Sequence, residues 1–184
     1  MRDFLFYPIT LLLGVGIVAW ALSFAESGPR FSESDVLARG YGASGDALRE
    51  LTAAPGTEVV VNGGVAQALA LSAQGDVGPS AGVFLLVPPS VEAAFGGREV
   101  EVAWRLRRPS GSARVQIGYF TAGAGDSGWR AVTVGPEWEE HTLRFRPAPP
   151  STPGYDYIGL WPSGGEAATS PVEIAEVRAR VVGG

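Results

Sequence analysis

The sequence contains no cysteine and no lysine, a single histidine, His141, and a single methionine at its start. Without thiols there are no disulfide staples, no thiolate metal sites and no cysteine nucleophile. One imidazole leaves little scope for histidine-based metal sites or proton relays, so the composition argues against an enzyme. Positive charge is scarce as well: 14 arginines face 19 acidic residues, for a net charge of −5. Arg2 and Asp3 cancel, so the negative balance falls entirely after the first apolar segment. That is the wrong sign for binding phosphate backbones and sets nucleic acid aside as a partner. The exclusive use of arginine, with abundant Ala, Gly and Val, looks like a GC-rich bacterial genome.

What is present begins with one long apolar run. The chain has 184 residues, 46% of them hydrophobic and 18% charged, and its mean hydropathy of +0.14 is raised by the stretch from Phe4 to Ala25, which holds no charge. About 22 residues at about 1.5 Å each make a helix of roughly 33 Å, enough to cross a bilayer core. Ser23-Phe24-Ala25 has the small-x-small form of a leader-cleavage site, so the run reads as a cleaved signal peptide or a retained anchor. Its length favours the anchor, as do Tyr7 and Trp20 near its two ends. Arg2 before the run and Glu26 after it leave the amino end in the cytoplasm and the remainder in the periplasm. The expected location is the bacterial inner membrane, crossed once. Gly14 and Gly16 are small enough to admit a neighbouring helix.

Residues 26–56 read as a stalk of Gly, Ser, Ala and scattered charge, with short helices expected at Ser34 to Arg39 and Ser44 to Leu51, each begun by a serine cap. Val36, Leu37, Leu48 and Leu51 are too few for a core of their own and are expected against the main domain or a partner. Residues 57–184 change to short β-rich runs punctuated by Gly and Pro, which predicts an all-β, two-sheet antiparallel sandwich. About nine strands are expected: Glu58 to Asn62, Val65 to Ser72, Ala81 to Val87, Arg98 to Arg107, Ala113 to Thr121, Trp129 to Val134, Glu139 to Arg146, Tyr155 to Trp161 and Val172 to Val182. Alternation places Val100, Val102, Trp104 and Leu106 on one face and Glu99, Glu101, Arg105 and Arg107 on the other, which makes Trp104 a core residue. Val115, Ile117, Tyr119, Leu143 and Phe145 follow the same logic inward. In the last strand Val172 and Ile174 oppose Val177, Ala179 and Val181 in parity, and a bulge near Ala175 or Glu176 would reconcile them.

The succession Val100-Glu-Val-Ala-Trp-Arg-Leu106, Arg114-Val-Gln-Ile-Gly-Tyr-Phe120, Ser127-Gly-Trp-Arg130, Trp138-Glu-Glu-His-Thr-Leu-Arg-Phe145, Asp156-Tyr-Ile-Gly-Leu-Trp161 and Val172-Glu-Ile-Ala-Glu-Val177 resembles the jelly-roll carbohydrate-binding modules attached to glycanases. Galactose-binding-like domains without a sugar ligand share that pattern. The resemblance, over about Thr57 to Val182, implies a sandwich without catalytic residues, sometimes with one structural calcium. The family often follows its last-strand isoleucine with an aspartate, whereas Ile174 is followed here by Ala175.

Sugar binding needs exposed aromatic faces with carboxylates, amides or guanidinium groups beside them. The loop from Gly123 leads into Trp129 and would bring Trp129, Arg130 and Asp126 to one rim. Tyr155, Tyr157 and Trp161 share parity against Ile158 and Leu160, so one of these two sets faces out. The same aromatics would serve a protein interface equally well. Calcium, the one cofactor considered, would draw on Asp126, Asp156 or Glu173, although no local loop resembles a dedicated site. Glu139 and Glu140 are adjacent on a strand and point oppositely, so they cannot flank one glycosidic bond.

Two functions remain. The first is a non-enzymatic accessory subunit that docks on an inner-membrane or envelope complex; the alternative is a tethered module that recognises an envelope glycan. The apolar run and its paired small residues favour the first on sequence grounds.

Overall fold

The computed structural model describes residues 31–77, 80–122, 125–150 and 154–183. The expected membrane span at Phe4 to Ala25, with its cleavage motif, lies outside them. No helix among the described residues is long and apolar enough to cross a membrane.

In chain order the elements are α1 (Glu33–Arg39), β1 (Tyr41–Ser44), β2 (Thr52–Ala53), β3 (Thr57–Asn62), β4 (Val65–Ala70), β5 (Val83–Val87), α2 (Pro89–Phe95), β6 (Val100–Arg107), β7 (Ala113–Phe120), β8 (Arg130–Val134), β9 (Glu139–Phe145), β10 (Asp156–Trp161) and β11 (Val172–Val181). Short 3-10 turns occupy Gly45–Glu50 and Gln74–Asp76. One sheet runs β3-β4-β11-β6-β9, with β1 paired to the far half of β11; the other runs β2-β5-β10-β7-β8. Every paired strand is antiparallel to its neighbours.

The alternation seen in the sequence explains the layering. Val100, Val102, Trp104 and Leu106 meet Val115, Ile117, Tyr119, Ile158 and Leu160 in one buried cluster. The Tyr119 ring lies 5.6 Å from that of Phe145 on the opposite sheet. The Tyr41 hydroxyl donates to the Leu86 carbonyl at 2.7 Å, fastening β1 to β5. The β11–β6 register shifts between Ile174 and Glu176, so Ile174 and Val177 both reach the core.

Several expectations are corrected. The sandwich has eleven strands among the described residues rather than about nine. From Phe31 onward the supposed stalk belongs to the same compact unit as the rest: Val36, Leu48 and Leu51 are buried in its core, while Leu37 is exposed. Ser32, not Ser34, caps α1 by accepting the Asp35 N–H at 3.1 Å. Ser44 ends β1 without a capping bond, and the following turn is 3-10 rather than α-helical. α2 was not expected at all.

The outer face of the six-stranded sheet is a lattice of alternating charge. Cross-strand register sets Arg144, Glu101 and Arg180 in one row and Glu140, Arg105 and Glu176 in the next but one. Glu101 pairs with Arg180 at 2.7 Å and Arg144 at 3.1 Å, Arg178 with Glu140 at 2.6 Å, and Arg107 with Glu173 at 2.6 Å. Hydrogen bonding from Arg180 and Arg144 holds the Glu101 carboxyl below its ordinary range. Much of the charge on this face is thus paired within it, although the buried Arg178 Nε has no partner.

Candidate functional site

The outer face of the five-stranded sheet is different in kind. Ile158 and Leu160 point into the core, so Tyr157, Gly159 and Trp161 of β10 point out. On β7 the outward series is Arg114, Gln116, Gly118 and Phe120, because Val115, Ile117 and Tyr119 are core residues. Register then places Tyr157 opposite Phe120, Gly159 opposite Gly118, and Trp161 opposite Gln116.

The glycine row makes the site. A glycine inside a strand marks a place where another group comes close. A Cβ at Gly118 would lie 2.6 Å from the Phe120 ring, and one at Gly159 would lie 3.2 Å from both the Phe120 and Trp129 rings. The Trp129 ring therefore reaches from the start of β8 across β7 to β10. Phe120 and Trp129 have centroids 4.7 Å apart, Phe120 stacks on Tyr157 at 5.2 Å, and Phe84 of β5 lies 5.7 Å from Tyr157. Four rings thus form one platform in which Phe84, Tyr157 and Trp129 are half-buried around a buried Phe120, tilted by 57° between Phe120 and Trp129 and by 58° between Phe84 and Tyr157, and beside which Leu86 is 43% exposed.

The turn ahead of Trp129 is built to deliver it. Ser127 accepts the Tyr119 N–H on its hydroxyl at 2.7 Å and returns its own N–H to the Tyr119 carbonyl at 2.8 Å. Asp126 accepts the Gly128 N–H at 2.8 Å, and Gly128 has φ +63°, a conformation that favours glycine. Burial, aided by the negative charge of Asp126, raises the Tyr157 phenol above its usual value, so it stays a neutral hydroxyl donor. Gln116 donates to Gln74 at 3.1 Å, placing two amides farther along the face.

The sequence-derived candidates separate accordingly. Trp129, Tyr157 and Asp126 come together. Arg130 is exposed but lies opposite Ile117 in register, on the other parity from the platform. Tyr155, 58% exposed, precedes β10. Trp161 faces out yet is fully buried: its ring sits 3.2 Å from where a Cβ at Gly56 would be, that Cβ would also touch Ser72 and Val77, and its indole N–H donates to Ser163 at 3.1 Å. Phe84, Phe120 and the glycine pair were missed. The signal for Phe120 was its place directly after an inward tyrosine.

The calcium candidates do not gather. Asp126 serves the turn, Glu173 the charge lattice, and Asp156 the interior, and no group of three or more metal-ligating side chains occurs among the described residues. Asp156 accepts the Tyr119 hydroxyl at 2.9 Å and the Ala122 N–H at 3.1 Å, while its own N–H donates to Glu92 at 2.5 Å. Burial raises both carboxyls and the Tyr119 phenol above their ordinary values. With Glu92 and Asp156 only 6% and 8% exposed, this cluster ties α2 to β10 and is closed to a polymeric substrate. His141 is likewise half-buried, with burial depressing its basicity.

No family model matches the sequence, and no curated protein matches it. Among solved structures the chain is similar to the N-terminal CBM22-1–CBM22-2 tandem domain from Paenibacillus barcinonensis Xyn10C, at 16% identity and a TM-score of 0.55, over 78% of this chain and 44% of that one. The chain thus spans less than half the length of the tandem. It is also similar to the CBM22-1 xylan-binding domain of the same protein, at 16% identity and a TM-score of 0.53, over 79% of this chain and 97% of that one. From Phe31 onward, the chain has the jelly-roll sandwich fold of carbohydrate-binding modules.

Proposed function

We propose that the chain is a non-catalytic glycan-binding module, tethered to the bacterial inner membrane by residues 4–25 with its sandwich in the periplasm. The observation that carries this reading is the ring platform of Trp129, Phe120, Tyr157 and Phe84 on one sheet face, floored by Gly118 and Gly159. The partly exposed rings of Trp129, Tyr157 and Phe84 offer apolar faces to a pyranose, and the Asp126 carboxylate and Tyr157 hydroxyl beside them suit sugar hydroxyls. The fold shared with carbohydrate-binding modules supports the same reading. It takes precedence over the docking subunit that the apolar run and Gly14 and Gly16 favour in the sequence. Tethering rests on the uncharged run and on Arg2.

The test is retention of the full-length chain on a panel of immobilised polysaccharides. Trp129→Ala should weaken retention at least thirtyfold, the loss of about 2 kcal/mol typical of an aromatic anchor, with the melting profile largely kept. A wild-type chain retained by no polysaccharide, or a folded Trp129→Ala chain retained as well as wild type, counts against the proposal.

A further inference from the structure

We propose a second subsite on this module: a groove between the start of β7 and the segment after β10 that receives the carboxylate of a uronic acid. It rests on the glycan reading for the identity of the carboxylate's carrier. The groove, about 250 Å³, is lined by residues that include Arg108, Arg114, Ser163, Gly164, Glu166 and Thr169. That is below the roughly 300–1,000 Å³ of sites for drug-sized ligands, and suits one ring or its substituent.

The two arginines set the chemistry. Six of the described arginines are ion-paired, namely Arg39, Arg98, Arg107, Arg144, Arg178 and Arg180. Arg108 and Arg114 have no carboxylate within pairing distance among the described residues, a condition they share with Arg49, Arg105, Arg130 and Arg146, but these two line one groove together. Arg108 spends one terminal nitrogen on the Ser112 carbonyl at 3.2 Å, and its buried Nε has no partner. Arg114 lays its stem over Gly164, with carbons 3.5–3.8 Å from where a Cβ would stand, so the glycine makes room for it. The opposite wall is fixed: the Ser163 hydroxyl accepts from Trp161 and donates to the Glu166 carbonyl. Glu166 is the one carboxylate lining the groove. Two guanidinium groups against one carboxylate leave an excess positive charge, in a chain whose net charge is −5. A guanidinium fork matches a carboxylate in shape as well as sign.

Position ties the groove to the platform. Arg114 belongs to the same outward series of β7 as Gln116, Gly118 and Phe120. At about 3.4 Å per residue it stands roughly 14 Å from Gly118, a separation bridged by an oligosaccharide and not by one sugar. The ligand inferred is an acidic glycan whose neutral rings lie on the platform and whose uronate reaches the arginines.

The experiment measures binding of the full-length chain in detergent to tetragalacturonate and to glucuronate-substituted xylotetraose, each beside its carboxyl-reduced form. At low salt at least one acidic probe should bind tenfold or more tighter than its reduced form, with the preference fading as salt rises. In Arg114→Gln and in Arg108→Gln the preference should fall to near parity at an unchanged melting temperature, and Arg114→Lys should retain part of it. Equal binding of acidic and reduced probes by wild type overturns the inference, as does a preference that survives both glutamine variants. Sodium acetate displacing the acidic probe as well as the free uronate does would make the groove a general anion site and overturn it too. If Trp129→Ala weakens acidic and reduced probes alike while neither glutamine variant changes the acid preference, the platform stands and the groove falls. If the arginines govern acid preference while Trp129→Ala changes nothing, the groove stands and the platform falls.

Discussion

Asp156 is the most exacting place to test how this sandwich is held together. Asp156→Ala removes the acceptor for the buried Tyr119 hydroxyl and for the Ala122 N–H, which lies at the surface and can turn to water. The orphaned buried hydroxyl costs about 1–3 kcal/mol, so a net loss of about that size is expected. Asp156→Asn keeps one acceptor oxygen, which can hold the Ala122 N–H, and sets its amide N–H against the Tyr119 oxygen, which can accept; it discards the charge and should cost less than the alanine variant at pH 7. The pH dependence is more discriminating. Burial raises the folded-state pKa of Asp156 and Glu92 above their ordinary values. The folded chain therefore holds those protons more tightly than the unfolded one, and stability should rise as pH falls from neutral toward about 4. Glu101 acts in the opposite sense: its pKa is depressed by Arg180 and Arg144, so its contribution is present above the ordinary carboxyl range and is lost as pH falls through the depressed value. Denaturant melts from pH 3 to pH 8 should pass through a maximum on the acid side of neutrality, and Asp156→Asn should flatten the rise toward it. An asparagine variant as damaged as the alanine one, or a wild-type curve with no rise as pH falls from neutral toward the ordinary carboxyl range, would refute this account of the cluster.

Three further outcomes are expected. Trp104 is fully buried, so Trp104→Ala should cost about 3–5 kcal/mol in a denaturant melt, and a loss under about 1 kcal/mol would contradict its place in the core. Gly159→Val would press on the Ala81 carbonyl, 2.6 Å from the new Cβ, and on the Trp129 and Phe120 rings. It should destabilise by about 1–3 kcal/mol and shift the tryptophan emission, whereas an unchanged melt and spectrum would mean the platform does not rest on the glycine row. A reporter fused after Gly184 should be active only in the periplasm; activity confined to the cytoplasm, or a soluble mature chain starting near Glu26, would remove the proposed tether.

Much of the fold could be read from alternation. All nine expected strands occur, with ends displaced by a residue or two, because a period of two over Val100 to Leu106 or Val115 to Tyr119 is unambiguous when one face is buried. The bulge was legible for the same reason: Val172 and Val177 cannot both face inward without an extra residue between them. β1 was hidden because Tyr41-Gly-Ala-Ser44 has little side chain to alternate. Its Gly42 is needed where a Cβ would stand 2.2 Å from the Val177 carbonyl. α2 was hidden behind Pro88-Pro89, which reads as a break although proline is welcome in the first turn of a helix. For the site, parity grouped Tyr157 with Tyr155 and Trp161 against Ile158 and Leu160 but left open which set faces out. It could not distinguish Tyr157 from Trp161, since what buries Trp161 is a distant turn at Gly56, Ser72 and Val77. Nor could it pair Gly118 with Gly159, because the register between β7 and β10 depends on the whole sheet.

The placement of β11 governs how the molecule can be made. It lies inside its sheet, with β6 on one side and β4 and β1 sharing the other, and Tyr41 pairs with Ala179, which stands 179 − 41 = 138 positions later. Closing so long a loop before its contacts form is entropically expensive, and sandwiches of this kind fold on the millisecond-to-second scale. Until Val172–Val181 has emerged, β4 and β6 present two open edges to each other and to any neighbouring chain, the condition in which strands pair with the wrong partner. A nascent chain of this protein is therefore aggregation-prone until Val172–Val181 has been made, and a holding chaperone would act on it during that interval rather than after it.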